Sequence, residues 1–168
     1  MATKRRNLFL YLTIACFLGL VTVFIVDGYL GIYDTVYITA GEYEEKIEPD
    51  HWVRQEQFWS PGVNQDEKIF FRYEIDNRQF SDYTADIEVS VWRSQSKISD
   101  LVSQRMLISA FEKMQLEWEV DTTELLPGDT PPEQGYDFSV IINRGEIERR
   151  IIVNVNPVAY PVKPVPAR

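Results

Sequence analysis

Residues 8–26 read LFLYLTIACFLGLVTVFIV, nineteen positions without a charge. A helix rising about 1.5 Å per residue would carry that run roughly 28 Å, close to the ~30 Å hydrocarbon thickness of a bilayer. Lys4, Arg5 and Arg6 precede the run. The positive-inside rule keeps such a flank in the cytoplasm. Tyr29 and Tyr33 follow it, where an outer aromatic belt would sit. A cleaved signal peptide is the competing reading. Its apolar region runs about 7–15 residues and closes on a small-x-small site. This run is longer, and residues 27–34 (DGYLGIYD) offer no such site.

The expectation is a protein of the cell membrane crossing it once. Residues 1–7 form a cytoplasmic stub, 8–26 a transmembrane helix and 27–34 an interfacial linker, with the remainder outside the cytoplasm. Cys16, Gly19 and Thr22 are small residues at helical spacing. Gly19 and Thr22 are therefore candidate contacts for a second membrane helix, although plain anchors carry such residues too. The run has no ionisable side chain, so a proton-relay or transport role has no support.

Beyond the run the chain is acidic. Lys4, Arg5 and Arg6 lie before it and every acidic residue lies from Asp27 onward, leaving 14 basic against 26 acidic residues, a charge of −12. Such a body repels phosphates, which excludes nucleic acid as a partner and argues against anionic lipid headgroups. Hydrophobic content of 45%, with 13% aromatic, is ample for a core. The one cysteine, Cys16, lies in the apolar run, so no intramolecular disulfide forms. No Asn-x-Ser/Thr sequon occurs.

From residue 35 the apolar period changes to two. Residues 35–41 read as a first strand, and 42–66 are less regular, with a Ser60-Pro-Gly62 turn. Residues 68–76 alternate, with Ile69, Phe71, Tyr73 and Ile75 on one face. Residues 85–92 do the same with Ile87, Val89 and Val91. Residues 97–108 fit a helix or a strand; their neighbours favour a strand or irregular edge. Residues 109–113 read as a turn and 114–121 as a strand with Met114, Leu116, Trp118 and Val120 inward. Residues 122–135 hold Pro127-Gly-Asp and Pro131-Pro, so they form a loop. Residues 136–143 and 146–155 flank Arg144-Gly145, a hairpin in which glycine can take a positive φ. Prolines at 157, 161, 164 and 166 make 157–168 an extended tail. About seven such strands imply a mainly β fold, an antiparallel two-sheet sandwich over 35–156.

A strand ending in Asn (FRYEIDN, 71–77), the strand 85–92, the piece AFEKMQLEW (110–118), a Pro-Gly loop and GYDFSVII (135–142) follow in that order. This order resembles the Ig-like domains of prokaryotic membrane-anchored surface proteins, including the bacterial cell-adhesion-related type. The resemblance covers roughly residues 68–155 and departs in the long 121–135 loop. It implies an Ig-like fold and a bias toward adhesion or assembly, and it carries over no functional residue.

No catalytic constellation is visible. His51 is the only histidine, and no Gly-x-Ser-x-Gly motif accompanies it. It reads as an exposed polar residue. One histidine with no cysteine outside the apolar run argues against zinc. The carboxylates Glu117, Glu119 and Asp121, and Glu44, Glu45, Glu48 and Asp50, lack calcium-loop spacing and read as solvated strand faces. The expectation is no enzyme, no metal and no cofactor. Phe70 and Trp92 break the polar parity of their strands, which makes them candidate partner contacts. The plainer account is that residues 42–66 cover them, with Trp52, Phe58 and Trp59 as the cover. The short connection between helix and first strand favours an accessory or assembly subunit of a membrane complex with a protein partner. The alternative is a stand-alone surface adhesion or ligand-binding module.

Overall fold

The computed structural model describes residues 11–22, 30–65, 67–125 and 135–156. Among them are a helix at 11–22 and nine strands. The strands are β1 (Ile32–Ala40), β2 (Tyr43–Ile47), β3 (Gln55–Asn64), β4 (Lys68–Asn77), β5 (Tyr83–Arg93), β6 (Ser96–Ile108), β7 (Lys113–Asp121), β8 (Tyr136–Arg144) and β9 (Ile147–Asn156). They pair into a four-stranded sheet, β2-β1-β4-β7, and a five-stranded sheet, β3-β9-β8-β5-β6. The fold is mainly β, a two-sheet sandwich. The core follows from the two-residue period: Val36 and Ile38, Ile69, Phe71 and Ile75, and Val120 in the first sheet meet Ile87, Val89 and Val91, Phe138, Val140 and Ile142, and Ile151, Val153 and Val155 in the second. Trp118 closes the β7 edge by stacking on Phe71, ring centroids 5.7 Å apart.

Three expectations need correction. The irregular stretch 42–66 supplies two strands, which is why nine form rather than about seven. The turn expected at 60–62 is a bulge inside β3, where the register shifts between Ser60 and Val63. The sandwich is not wholly antiparallel either. β3 starts from the end of the sandwich where β9 also starts, so the two run parallel. Moreover, β1 begins at Ile32, inside the expected linker. Residues 96–108 form one long edge strand, β6. The final hairpin is as expected: Arg144 pairs with Ile147, and Gly145 turns the chain at φ +62°.

The helix at 11–22 is exposed at every residue, including Leu12 (57%), Phe17 (66%) and Leu20 (60%). Among the described residues no helix is long and apolar enough to cross a membrane. The remaining ends of the 8–26 run, the stub at 1–7, most of the 122–135 loop and the tail at 157–168 lie outside the described residues.

At one end of the sandwich, here called the base, the inward positions turn polar. Asp34 continues the Val36–Ile38 face of β1, Arg144 the Val140–Ile142 face of β8, and Arg149 the Ile151–Val153 face of β9. All three are at most 3% exposed. Arg149 donates from Nε to Asp34 Oδ2 at 2.9 Å and from Nη2 to Oδ1 at 3.3 Å. It also donates to the Val53 and Asp50 carbonyls at 2.6 and 3.2 Å. Tyr73 donates to Asp34 at 3.2 Å, and Arg144 donates to the Tyr73 and Tyr83 hydroxyls at 3.1 and 2.9 Å. Arg144 Nη2 has only Asp34 Oδ1 opposite, at 3.7 Å. One buried carboxylate thus faces two buried guanidiniums, and Glu56, 3.9 Å from Arg149, supplies a second, partly exposed one.

Removing that carboxylate leaves two cations in a medium that penalises them. Asp34→Ala is expected to destabilise the sandwich by about 3–5 kcal/mol, read as a lowered denaturant midpoint. A second expectation concerns alkaline pH. Burial, with the Asp34 charge next, pushes the Tyr73 phenol well above its usual range. Ionisation is therefore harder in the folded than in the unfolded chain. The resulting stabilisation is complete below about pH 10, the ordinary tyrosine value, and is lost as pH rises above it. Tyr43 and Tyr136 shift the same way. The thermal midpoint should fall above that pH, and Tyr73→Phe should flatten the fall without abolishing it.

Candidate functional site

The outer face of the four-stranded sheet carries a groove. Register sets Glu44, Thr39, Phe70 and Glu119 in one row across β2, β1, β4 and β7. The next row holds Lys46, Tyr37, Arg72 and Glu117. All of these except Lys46 line an open groove of about 380 Å³. Phe70 is 52% exposed in it. The Arg72 guanidinium lies 4.0 Å over the Tyr37 ring, a cation–π contact. Arg72 Nε is buried without a hydrogen-bond partner among the described residues. Lys68 is paired with Glu119 on the rim. The third row binds itself: Lys113 and Gln115 both donate to Glu74 at 3.0 Å and hold its carboxyl below the usual range.

The groove offers an apolar ring, an aromatic–guanidinium stack with a spare donor, and a rim where Glu44, Glu117 and Glu119 outnumber Lys68. That set suits a surface that combines an apolar side chain with cationic groups. His51, the one imidazole of the chain, lies at the base and takes no part in the groove. Among the described residues no group of three or more His, Cys, Asp or Glu is placed to hold a metal ion.

The expected cover does not form. β3 extends the five-stranded sheet at its edge and leaves both outer faces open. Phe58 turns inward against the core, whereas Trp59 and Trp52 are each 63% exposed. Trp92 is half-buried on the outer face of the other sheet and donates from Nε1 to Ser90 at 2.9 Å. Phe70 and Trp92 therefore belong to opposite faces and do not form one patch. Gly19 has open space around it, and Thr22 returns its hydroxyl to the Leu18 carbonyl at 2.8 Å.

His51 is not the exposed residue that was expected. Its ring sits between Tyr33 and Trp52, centroids 4.4 Å from each, and its Nε2 is buried without a hydrogen-bond partner among the described residues. The acidic runs also divide. Glu117 and Glu119 face the groove, while Asp121 accepts from the Thr123 amide at 2.9 Å and caps a turn. Asp50 likewise accepts from the Trp52 amide at 2.9 Å.

Sequence reasoning missed the base cluster. Its signal was present as charges at inward parity: Asp34 before Val36, Arg144 after Ile142 and Arg149 before Ile151.

No protein-family model matches the chain, and no curated protein does. Similar solved structures include the periplasmic chaperone SfaE, at 12% identity and TM-score 0.38, with 76% of this chain and 61% of that one covered. Another is a β-glucosidase from Listeria innocua in complex with glucose, at 11% and 0.41, with 74% and 16% covered. A third is a cycloisomaltooligosaccharide glucanotransferase of Paenibacillus sp., at 7% and 0.39, with 64% and 13% covered. The chain thus spans less than two thirds of each of these chains.

If Phe70 serves recognition rather than packing, Phe70→Ala should leave stability within about 0.5 kcal/mol of the parent. Unchanged thermal and denaturant midpoints are the expected result. A loss well beyond that would return Phe70 to the structural inventory.

Proposed function

We propose that this chain is a non-enzymatic, single-pass membrane protein whose Ig-like sandwich lies outside the cytoplasm and acts as an assembly subunit of a membrane complex. The observation that carries the anchor is the helix at 11–22. It exposes apolar side chains on every side and packs on nothing else described. A helix that is apolar all round needs a non-aqueous surrounding. The uncharged run 8–26, with Lys4, Arg5 and Arg6 before it, supplies the length and the orientation.

The Ig-like reading is supported by strand order. β4 and β7 adjoin in one sheet, opposite β9-β8-β5-β6 in the other. An immunoglobulin variable-type sandwich sets its B and E strands against G, F, C and C′ in the same way.

The assembly reading is supported by the tether. β1 starts at Ile32, six residues after Val26, and two residues later Asp34 is clamped into the base. Six residues reach at most about 20 Å. A display module would use a longer, flexible stalk. Held this close, the sandwich meets the outer loops of a membrane partner, with the Phe70 groove offered sideways. The groove also supports a second reading, a stand-alone ligand-binding or adhesion module.

The test is the mass of the particle that carries the full-length protein after mild-detergent extraction from native membranes. The expected result is a particle well above the 19.6 kDa chain with its micelle, containing a second polypeptide that Phe70→Ala releases. A lone monomer sinks the assembly reading and leaves the stand-alone one. Exchange of residues 8–26 for an unrelated anchor reports separately on helix contacts through Gly19 and Thr22.

A further inference from the structure

The described loops at the two ends of the sandwich differ in kind. The end away from the base turns through Gly41-Glu42, Ser94-Gln95 and residues 122–125, and none of these exposes a large apolar side chain. The base loops do. Phe80, between β4 and β5, is 78% exposed, Phe111, between β6 and β7, is 56% exposed, and Trp52, between β2 and β3, is 63% exposed. Phe80 and Phe111 meet edge to face, ring centroids 5.0 Å apart.

That pair is held in place. Asn77, fully buried, directs its side-chain amide at the carbonyls of Ser81, Ile108 and Ser109, at 3.0, 3.1 and 3.0 Å, and so bridges the two loops. Asp82 accepts from the Ala110 amide at 3.1 Å. Phe111 itself has φ +62°, a conformation that costs an aromatic residue free energy and persists only where its surroundings impose it. The backbone strain and the Asn77 bridge both serve to project apolar rings outward, away from any core.

The base is also the end at which β1 enters. The Arg78 amide donates to the Gly31 carbonyl at 2.9 Å, which joins the Phe80 loop to the start of the tether. We infer that Phe80, Phe111 and Trp52 dip into the interfacial layer of the bilayer, so that the sandwich stands on the membrane on three aromatic feet. The inference rests on the anchor proposed above. Aromatic rings favour the headgroup level of a membrane. The charge of the base selects the lipid. Glu48, Asp50, Asp82, Glu112 and Glu146 outnumber Arg54 and Arg78 there. The surface therefore suits zwitterionic headgroups and is repelled by anionic ones.

The experiment places full-length protein in nanodiscs of phosphatidylcholine alone. In a Cys16→Ser background, a nitroxide is attached at Ser81→Cys beside Phe80, or at Gln95→Cys on the opposite end. Collision rates with oxygen and with a water-soluble nickel chelate are then compared. The expected result is a higher oxygen-to-nickel ratio at 81 than at 95. The double variant Phe80→Asp, Phe111→Asp should return position 81 to the ratio of position 95 while keeping the parent thermal midpoint. Substitution of phosphatidylserine for part of the lipid should also lower the ratio at 81.

Equal ratios at 81 and 95 overturn the inference, and so does protection of 81 that appears only in native membranes, which would assign the rings to a protein. Native Cys16, in unlabelled protein, reports on the anchor independently. Its resistance to a charged maleimide with equal ratios at 81 and 95 removes the aromatic feet alone. Its free alkylation removes the anchor and the feet together.

Discussion

The contact between Asp34 and Arg149 is the one on which the rest of the molecule depends. It joins the first strand of one sheet to the last strand of the other at the end where the chain enters. Arg149 reaches further, to the carbonyls of Asp50 and Val53, and so fixes the loop between β2 and β3. Arg144 adds β8, and through the Tyr73 and Tyr83 hydroxyls it draws in β4 and β5. An apolar core of Val and Ile would hold two sheets face to face with equal strength and less specificity. Burying ions is costly, and replacing such a cluster with well-packed apolar residues often leaves stability unchanged or raised. The ions and the apolar pattern point to the same register: slippage of β1 by one residue would turn Asp34 away from both arginines and Val36 and Ile38 away from the core.

The register has consequences on the outer faces. The β1–β4 register sets Phe70, Arg72 and Glu74 opposite Thr39, Tyr37 and Thr35, and the Tyr73–Asp34 hydrogen bond on the inner face agrees with it. The groove is therefore a product of the strand register. Its order across β2, β1, β4 and β7 needs no loop to form, so the face is pre-organised by the sheet.

The sandwich was legible in the sequence wherever one face is buried and the other wet. β4, β5, β7 and the β8–β9 hairpin show clean alternation, and each lies where that alternation places it. The two strands that were missed, β2 and β3, lie at sheet edges, where partial exposure blurs the pattern: YEEKI holds a single fully buried apolar position, Ile47. β3 is further broken by its bulge. The identity of the base cluster was hidden for a different reason. A charged residue reads as solvent-exposed unless its partner is known, and the partners of Asp34 lie 110 and 115 positions away at Arg144 and Arg149. Parity alone would have marked them, since each continues an inward-facing row. The groove was half legible: Phe70 was conspicuous by parity, but that Tyr37 and Arg72 flank it depends on pairing that no local pattern reveals.

The two exposed aromatic features differ in what they can meet. Phe70 stands in a row of carboxylates on the flank of the sandwich, where apolar area and charge are interleaved, the composition of a protein interface rim and its anchor. Phe80 and Phe111 stand at the tips of loops in which Ser81, Asp82 and Glu112 are exposed as well. Apolar rings bordered by polar groups match the layering of a bilayer interface, where aromatic side chains sit at the headgroup level. The loops spend the Asn77 amide and one Asp82 oxygen on each other, which holds the rings in place. On the proposed anchored reading, the same division lets an acidic body stand close to a bilayer. Three carboxylates near the base are engaged within the protein, Glu146 by Arg54, Glu48 by Lys46 and Asp82 by the Ala110 amide. Those along the groove, Glu44, Glu117 and Glu119, lie on the flank beside Arg72 and Lys68.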